Sequence, residues 1–379
     1  MNNASTSLPS LFNNYETIKL VVENGQTVNF IILILLCGLF FLLLRKYPNN
    51  SSFEFLDRQQ TEQLKGLAIV LVIVGHFWWH VAAKKPALIF ADDAVALFFL
   101  LSGFGLTMSN RYKSLDLRHF LSRRVKRVMI PYWLATVFLL SLDFFILKRT
   151  YPIKDIMLTG LGINISQTTT HIDYVRWYIT LLLLWYVLFF FASSKLKQKT
   201  QLPFLLGCGT VIFLFDYFVP SVFWYQIFAF PAGCLVANFY EAIAKFFLTK
   251  KKLIFFAAII LFCLALAYKI WIIHFCMNWL PSPLVKLTGE CNSLIVSICL
   301  IVYISCLSYC NYYSNSLKFI GKYSYEIFLI HGAFLIKYDP IISSSSGPIV
   351  IIQLFTFFIF ILFVAIIFQK VAKAAHAII

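Results

Sequence analysis

Apolar runs of about twenty residues, each long enough to cross a hydrocarbon core of about 30 Å as a helix, recur from one end of the chain to the other. About eleven are legible, near 28–44, 64–82, 93–110, 128–147, 175–192, 203–219, 221–240, 253–273, 293–310, 320–336 and 349–369. Nothing else constrains the fold as tightly. Lipid leaves no water for a free N–H or C=O, so a spanning segment is a helix or a strand of a closed barrel, and the alternating pattern of barrel strands is absent. The chain is expected to be all-α, a polytopic transmembrane protein with a ten-helix core and one additional N-terminal helix. Composition agrees: 60% of the 379 residues are hydrophobic and 13% are charged, against about 25% charged in soluble domains.

The net charge of +16 needs a location before it needs a partner. Basic residues cluster at 45–65, 111–127, 195–199, 245–252, 318–322 and 370–373. Retention of positive charge in the cytosol then puts the N-terminus outside and the C-terminus inside, with no nucleic-acid partner implied. On that topology residues 1–27 are a polar outer tail, 28–44 an added anchor helix, 45–63 a cytosolic linker and 64–379 the ten-helix membrane domain. The tail lacks the basic-then-apolar layout of a cleavable signal peptide. The outer stretch 148–174, broken by Pro, Gly and Asn, is expected to fold back as a lid or re-entrant loop. The nine cysteines include no CxxC pair, no HExxH occurs, and no metal site is expected. Cys276 and Cys291 flank one outer loop, where an oxidising compartment would permit a disulfide.

Polar groups deep in these runs are the functional candidates, because burying an ionisable side chain in lipid costs several kcal/mol unless a cavity or partner compensates. With Leu64 at the cytosolic edge, His76 lies about 18 Å into the membrane and His331 about 16 Å from the start of its own span. Ser102 descends from outside to a similar depth. A neutral histidine bonding a neighbouring helix is the competing structural reading for each.

The segments around these residues carry a resemblance. LKGLAIVLVIVGH, Leu64 to His76, resembles the signature of the acyltransferase-3 family, in which an arginine and a histidine are separated by ten residues; here Lys65 takes the arginine's place. LFFLLSGFGL from Leu97, FLSRRVKRVMIPYW from Phe120 and IGKYSYEIFLIHG from Ile320 resemble three further blocks of the family, in the same order. Two departures stand out. Relatives often carry an acidic residue directly before the second block, where this chain has Ala96, with Asp93 three residues earlier on the same helical face. Lysine at position 65 keeps the charge but not the bidentate fork of arginine.

The resemblance implies a bacterial inner-membrane enzyme that moves an acyl group, usually acetyl, to a hydroxyl of an envelope glycan or lipid-linked saccharide. It implies acyl-CoA, with acetyl-CoA first, as cytosolic donor. Arg118, Arg123, Arg124, Lys126 and Arg127 would face that donor's phosphates, a task suited to guanidinium groups, although plain topological charge explains the same segment. His76 would act as general base, with Ser102 near the reacting carbonyl, Lys65 and Asp93 in support, and His331 a further polar candidate. Glu62, one turn before Lys65, is placed to pair with it. At the outer rim, Trp78, Trp79, His80, Asp173, Arg176, Trp177 and Tyr178 suit a sugar face and equally an interfacial belt. The rival class is a transporter or flippase of a glycan lipid with the midplane histidines as a proton relay; paired repeats that would favour it are not visible.

Overall fold

A computed structural model describes residues 19–47, 53–112, 116–165, 172–218, 225–339 and 341–378. Most of the expected outer tail, part of the linker and residues 166–171 of the outer loop lie outside the described residues.

The molecule is a helical membrane protein. In chain order the helices are α1 (Gly25–Leu42), α2 (Arg58–His76), α3 (Ala91–Tyr112), α4 (Leu117–Arg124), α5 (Ile130–Phe145), α6 (Ile153–Gly160), α7 (Trp177–Lys195) and α8 (Gln198–Phe218). They continue with α9 (Ala229–Asn238), α10 (Tyr240–Ala267), α11 (Ile273–Trp279), α12 (Ser282–Tyr309), α13 (Asn315–Lys322), α14 (Ser324–Ile336) and α15 (Gly347–Ile378). Two short strands, β1 (Leu44–Lys46) and β2 (Tyr312–Ser314), pair antiparallel and clasp the end of α1 to the turn before α13. Among the described residues eight helical stretches are long and apolar enough to cross a membrane. The other three expected spans are α8, whose first turn is polar, and α9 and α14, of 10 and 13 residues. At 1.5 Å per residue α14 covers about 20 Å, less than the hydrocarbon core, and α13 leads into it with only Tyr323 between them.

Helix α2 starts earlier than its apolar run. The Asp57 carboxylate accepts the Gln60 N–H as an N-cap, and the buried Gln60 side chain satisfies Leu56 N–H, Glu54 C=O, Ser305 and Ser308. The linker is shorter than expected as a result. Directly after His76 the chain widens into a π-helical turn, Phe77–Val81, a form that is rare and concentrated at functional sites. A second π turn, Val125–Met129, joins α4 to α5 within the basic segment.

Helices α2 and α3 form the centre, with α9, α12, α13 and α14 packed around them. Their contacts are backbone-close. A Cβ on Gly66 would sit 2.0 Å from the Leu317 carbonyl oxygen, and one on Gly321 would sit 1.8 Å from that of Glu62, so α2 and α13 meet without a side chain between them. Gly103 of α3 and Gly233 of α9 form a matching pair. Small residues allow this close approach where lipid supplies no hydrophobic driving force between helices. Helices α1 and α10 are the least covered. The expected re-entrant stretch contains α6, tied back to α5 by Tyr132 O–H to the Thr159 carbonyl (2.7 Å) and Trp133 Nε1–H to the Gly160 carbonyl (2.7 Å). Cys276 and Cys291 are both free thiols, the first buried and the second exposed, so they do not pair.

Candidate active site

Helices α2 and α14 bring His76 and His331 together from positions 255 residues apart, with Nδ1 of His76 2.9 Å from Nε2 of His331 and ring planes within 11°. His331 is fully buried; His76 is partly accessible. The proton positions follow from the neighbours. Nδ1 of His331 faces the carbonyl oxygens of Ile327 (3.1 Å) and Phe328 (2.9 Å), which only accept, so this nitrogen carries hydrogen. In a neutral ring Nε2 of His331 is then bare, and it accepts a hydrogen bond from His76 Nδ1–H. What remains is Nε2 of His76, a lone pair with its opposite side supported. The arrangement follows the logic of a catalytic triad, in which a buried acceptor fixes the tautomer of a histidine base. The ring of His80, one turn later, stands edge-on to His76 at 5.5 Å and against Tyr174 at 4.3 Å, extending an aromatic row away from the pair.

Ser102 does not reach toward this pair as a free donor. Its hydroxyl donates to the Phe98 carbonyl one turn back (2.8 Å) and lies in hydrogen-bond reach of Tyr178 O–H. Tyr178 in turn packs on Phe99 and on Phe328 of α14. Asp93 is buried and its carboxylate pairs with Lys269 (2.9 Å), so the support behind His76 is an imidazole rather than this carboxylate. Glu62 pairs with Arg58 (2.9 Å) instead of Lys65. Lys65 lies eleven residues before His76, about 16 Å lower along α2, and Arg127 is close enough for its charge to act on it.

The basic segment and the histidine pair are mechanically joined. Tyr325 O–H donates to the Val128 carbonyl (2.9 Å), tying the start of α14 to the π turn that holds Lys126 and Arg127. Arg118, Arg123 and Arg127 are exposed, and among the described residues none of the five expected cations makes an ion pair. Arg124 differs. Its guanidinium lies 5.5 Å from the Phe120 ring and 5.0 Å from the Tyr186 ring, and its buried Nε has no hydrogen-bond partner among the described residues.

A second cluster was not expected from the sequence. Asp143, inside the apolar run of α5, is buried and receives Lys337 Nζ at 2.8 and 2.9 Å, Tyr151 O–H at 2.6 Å and the Tyr338 hydroxyl. Asp143 and Lys337 are ionisable residues at or near apolar runs, which is the signal that would have found them. Close by, Asp173 and Arg176 are also buried. Among the described residues no group of three or more His, Cys, Asp or Glu side chains is arranged to hold a metal.

The model of a family described as an acyltransferase domain matches residues 58–369, which takes in α2 through most of α15 and leaves out α1. No curated protein and no solved structure matches the chain. With the match covering most of the chain and including both histidine-bearing helices, the protein belongs to the acyltransferase-3 family and is a membrane acyltransferase.

Proposed function

We propose that the protein moves an acyl group, acetyl first, from acyl-CoA at the cytosolic face to a hydroxyl of an envelope glycan or lipid-linked saccharide at the opposite face. The carrying observation is the His76–His331 hydrogen bond inside the helical core, which leaves one imidazole nitrogen bare and braced. In this reading the acceptor O–H gives its proton to His76 Nε2 as its oxygen attacks the thioester carbonyl. The C–S bond then breaks and the departing thiolate takes that proton from the imidazolium. His331 Nε2 stabilises the imidazolium through the Nδ1–H bond. In this reading both rings start neutral, a state compatible with the hydrogen bonds they make.

The donor's phosphates belong at Arg123, Arg124, Lys126 and Arg127, with Arg118 at the exposed margin, because cations without internal partners suit an anionic ligand. The acyl arm then rises along α14 past Tyr325 toward the histidines. On this orientation the N-terminus is outside and the C-terminus in the cytosol of a bacterial inner membrane. A flippase with the histidines as a proton relay would need the same pair but no acyl donor.

The test is His76→Ala. The purified variant should reach the membrane and bind CoA as wild type does, yet release CoA from acetyl-CoA with acceptor about 10²- to 10⁴-fold more slowly, the range for a lost general base. Near-normal transfer by that variant would end the assignment.

A further inference from the structure

Arg176 and Asp173 leave bonds unmade in a place where that is costly. Arg176 is 2% and Asp173 1% exposed. Among the described residues the Arg176 guanidinium donates once, from Nη1 to Thr136 Oγ1 (2.7 Å), and it lies 5.0 Å from the Tyr132 ring. Among the described residues its Nε and Nη2 have no hydrogen-bond partner. Asp173 accepts the Val175 N–H at Oδ1 (3.4 Å), while Oδ2, 3.8 Å from Arg176 Nε, has no hydrogen-bond partner among the described residues. That separation is within ion-pair range but too long for a hydrogen bond. An unsatisfied buried donor or acceptor costs about 1–3 kcal/mol, and more when charged. One unmade donor, Nε, therefore stands 3.8 Å from an unmade acceptor, Oδ2, with Nη2 unmade on the same guanidinium. The neighbouring Asp143–Lys337 pair, by contrast, is fully engaged.

The location connects the gap to the reaction. Asp173 Oδ1 lies 2.6 Å from where a Cβ on Gly332 would be, and Gly332 directly follows His331. The carboxylate thus rests on α14 one residue from the histidine pair, and a side chain at position 332 would push it away. Asp173 and Arg176 also begin the outer end of α7 in the proposed orientation.

The charges select the ligand. An anion meets Asp173 and a cation meets Arg176, so neither is favoured; a neutral group that accepts from the guanidinium and donates to the carboxylate satisfies both. Two adjacent hydroxyls of a sugar do this together, one oxygen accepting from Nε or Nη2 and the other O–H donating to Oδ2. Burial pushes the Asp173 carboxyl up to about 6, so it is an acceptor at neutral pH. We propose that Asp173 and Arg176 form the acceptor subsite and grip a vicinal diol of a neutral sugar beside the hydroxyl to be acylated. This rests on the hydroxyl-acceptor reading above.

The experiment is calorimetric titration of the full-length protein in detergent, without donor, with methyl glycosides of glucose, galactose, mannose and rhamnose and with the monodeoxy analogues of the one that binds best. Wild type should bind at least one glycoside, and removal of either of two adjacent hydroxyls should weaken binding about tenfold or more, as for a lost hydrogen bond. Arg176→Lys and Asp173→Asn should each weaken the intact glycoside about tenfold, with CoA affinity unchanged. The deoxy analogue lacking the matching hydroxyl should suffer no further loss in the variant. The proposal is overturned if wild type binds none of the glycosides, if no adjacent pair of hydroxyls matters, or if variant and deoxy losses simply add. Adding acetyl-CoA separates this idea from the transferase reading. Glycoside bound through the pair but never acylated would sink the transferase reading and leave the diol site, whereas acylation indifferent to both substitutions would sink the diol site alone.

Discussion

Replacing His331 with Phe should slow acyl transfer even though His331 need not touch either substrate. In wild type His76 Nδ1–H donates to His331 Nε2 at 2.9 Å, with His331 fully buried and its Nδ1 held by the Phe328 carbonyl at 2.9 Å. When His76 takes the acceptor's proton, that neutral bond becomes charge-assisted. Hydrogen bonds to charged groups contribute about 1.5–3 kcal/mol, and at about 1.36 kcal/mol per tenfold the loss corresponds to roughly 10- to 150-fold in rate. His331→Gln keeps an amide oxygen that can accept, so it should retain more activity than His331→Phe. The double variant His76→Ala with His331→Phe should be no slower than His76→Ala alone, because groups acting as one unit do not lose rate additively. The assay is single-turnover release of CoA from acetyl-CoA in the presence of acceptor, with CoA affinity measured alongside to confirm folding. A His331→Phe protein within about threefold of wild type would refute the supporting role, and so would additive losses in the double variant.

Lys65→Ala should lower transfer about tenfold or more while Lys65→Arg stays near wild type, since arginine keeps the charge at this position; equal losses in steady-state kinetics would contradict this. Neutralising Arg123, Arg124 and Arg127 together should weaken CoA binding about tenfold or more, and raising salt should weaken wild type in the same sense, because exposed phosphate pairs are screened. Titration with CoA at low and high salt checks it, and an unchanged affinity returns those arginines to topology alone. Asp173, with its carboxyl pushed up to about 6 by burial, holds a proton more tightly folded than unfolded. Its contribution to stability is full below pH of about 4 and is lost as pH rises through about 6, a change of roughly 3 kcal/mol. The Tm of Asp173→Asn relative to wild type should accordingly rise between pH 4.5 and 7, and parallel curves for the two proteins would contradict the buried carboxyl.

The class of fold was legible because lipid reduces the choice to helices whose length and apolarity can be counted. The family was legible from the blocks around Lys65, Ser102, Arg123 and His331, and the match over residues 58–369 agrees. Three expected spans are shorter or more polar than the rest: α9 and α14 have 10 and 13 residues, and α8 opens on a polar turn. Depth along each helix put His76 and His331 at one level but carried no information on azimuth, so their hydrogen bond was invisible until α2 and α14 were seen face to face. For the same reason Asp93 was offered to His76 when its partner is Lys269, and Glu62 to Lys65 when its partner is Arg58. Asp143 and Lys337 went unremarked although a carboxylate in LLSLDFF is the kind of group that demands a partner. Asp173 and Arg176 were read as rim residues because they follow an outer loop. Their burial depends on α5 and α14 closing over them, which no local pattern records.

The central claim is that an acyl group, and not a glycan, crosses the membrane at the histidine pair. It is tested by proteoliposomes of known orientation, with labelled acetyl-CoA outside at the cytosolic face and glycan acceptor trapped inside. The account predicts label on the lumenal acceptor, CoA left outside, and loss of both in His76→Ala. Label confined to acceptor added at the donor face, or movement of glycan across the bilayer without label, would contradict it.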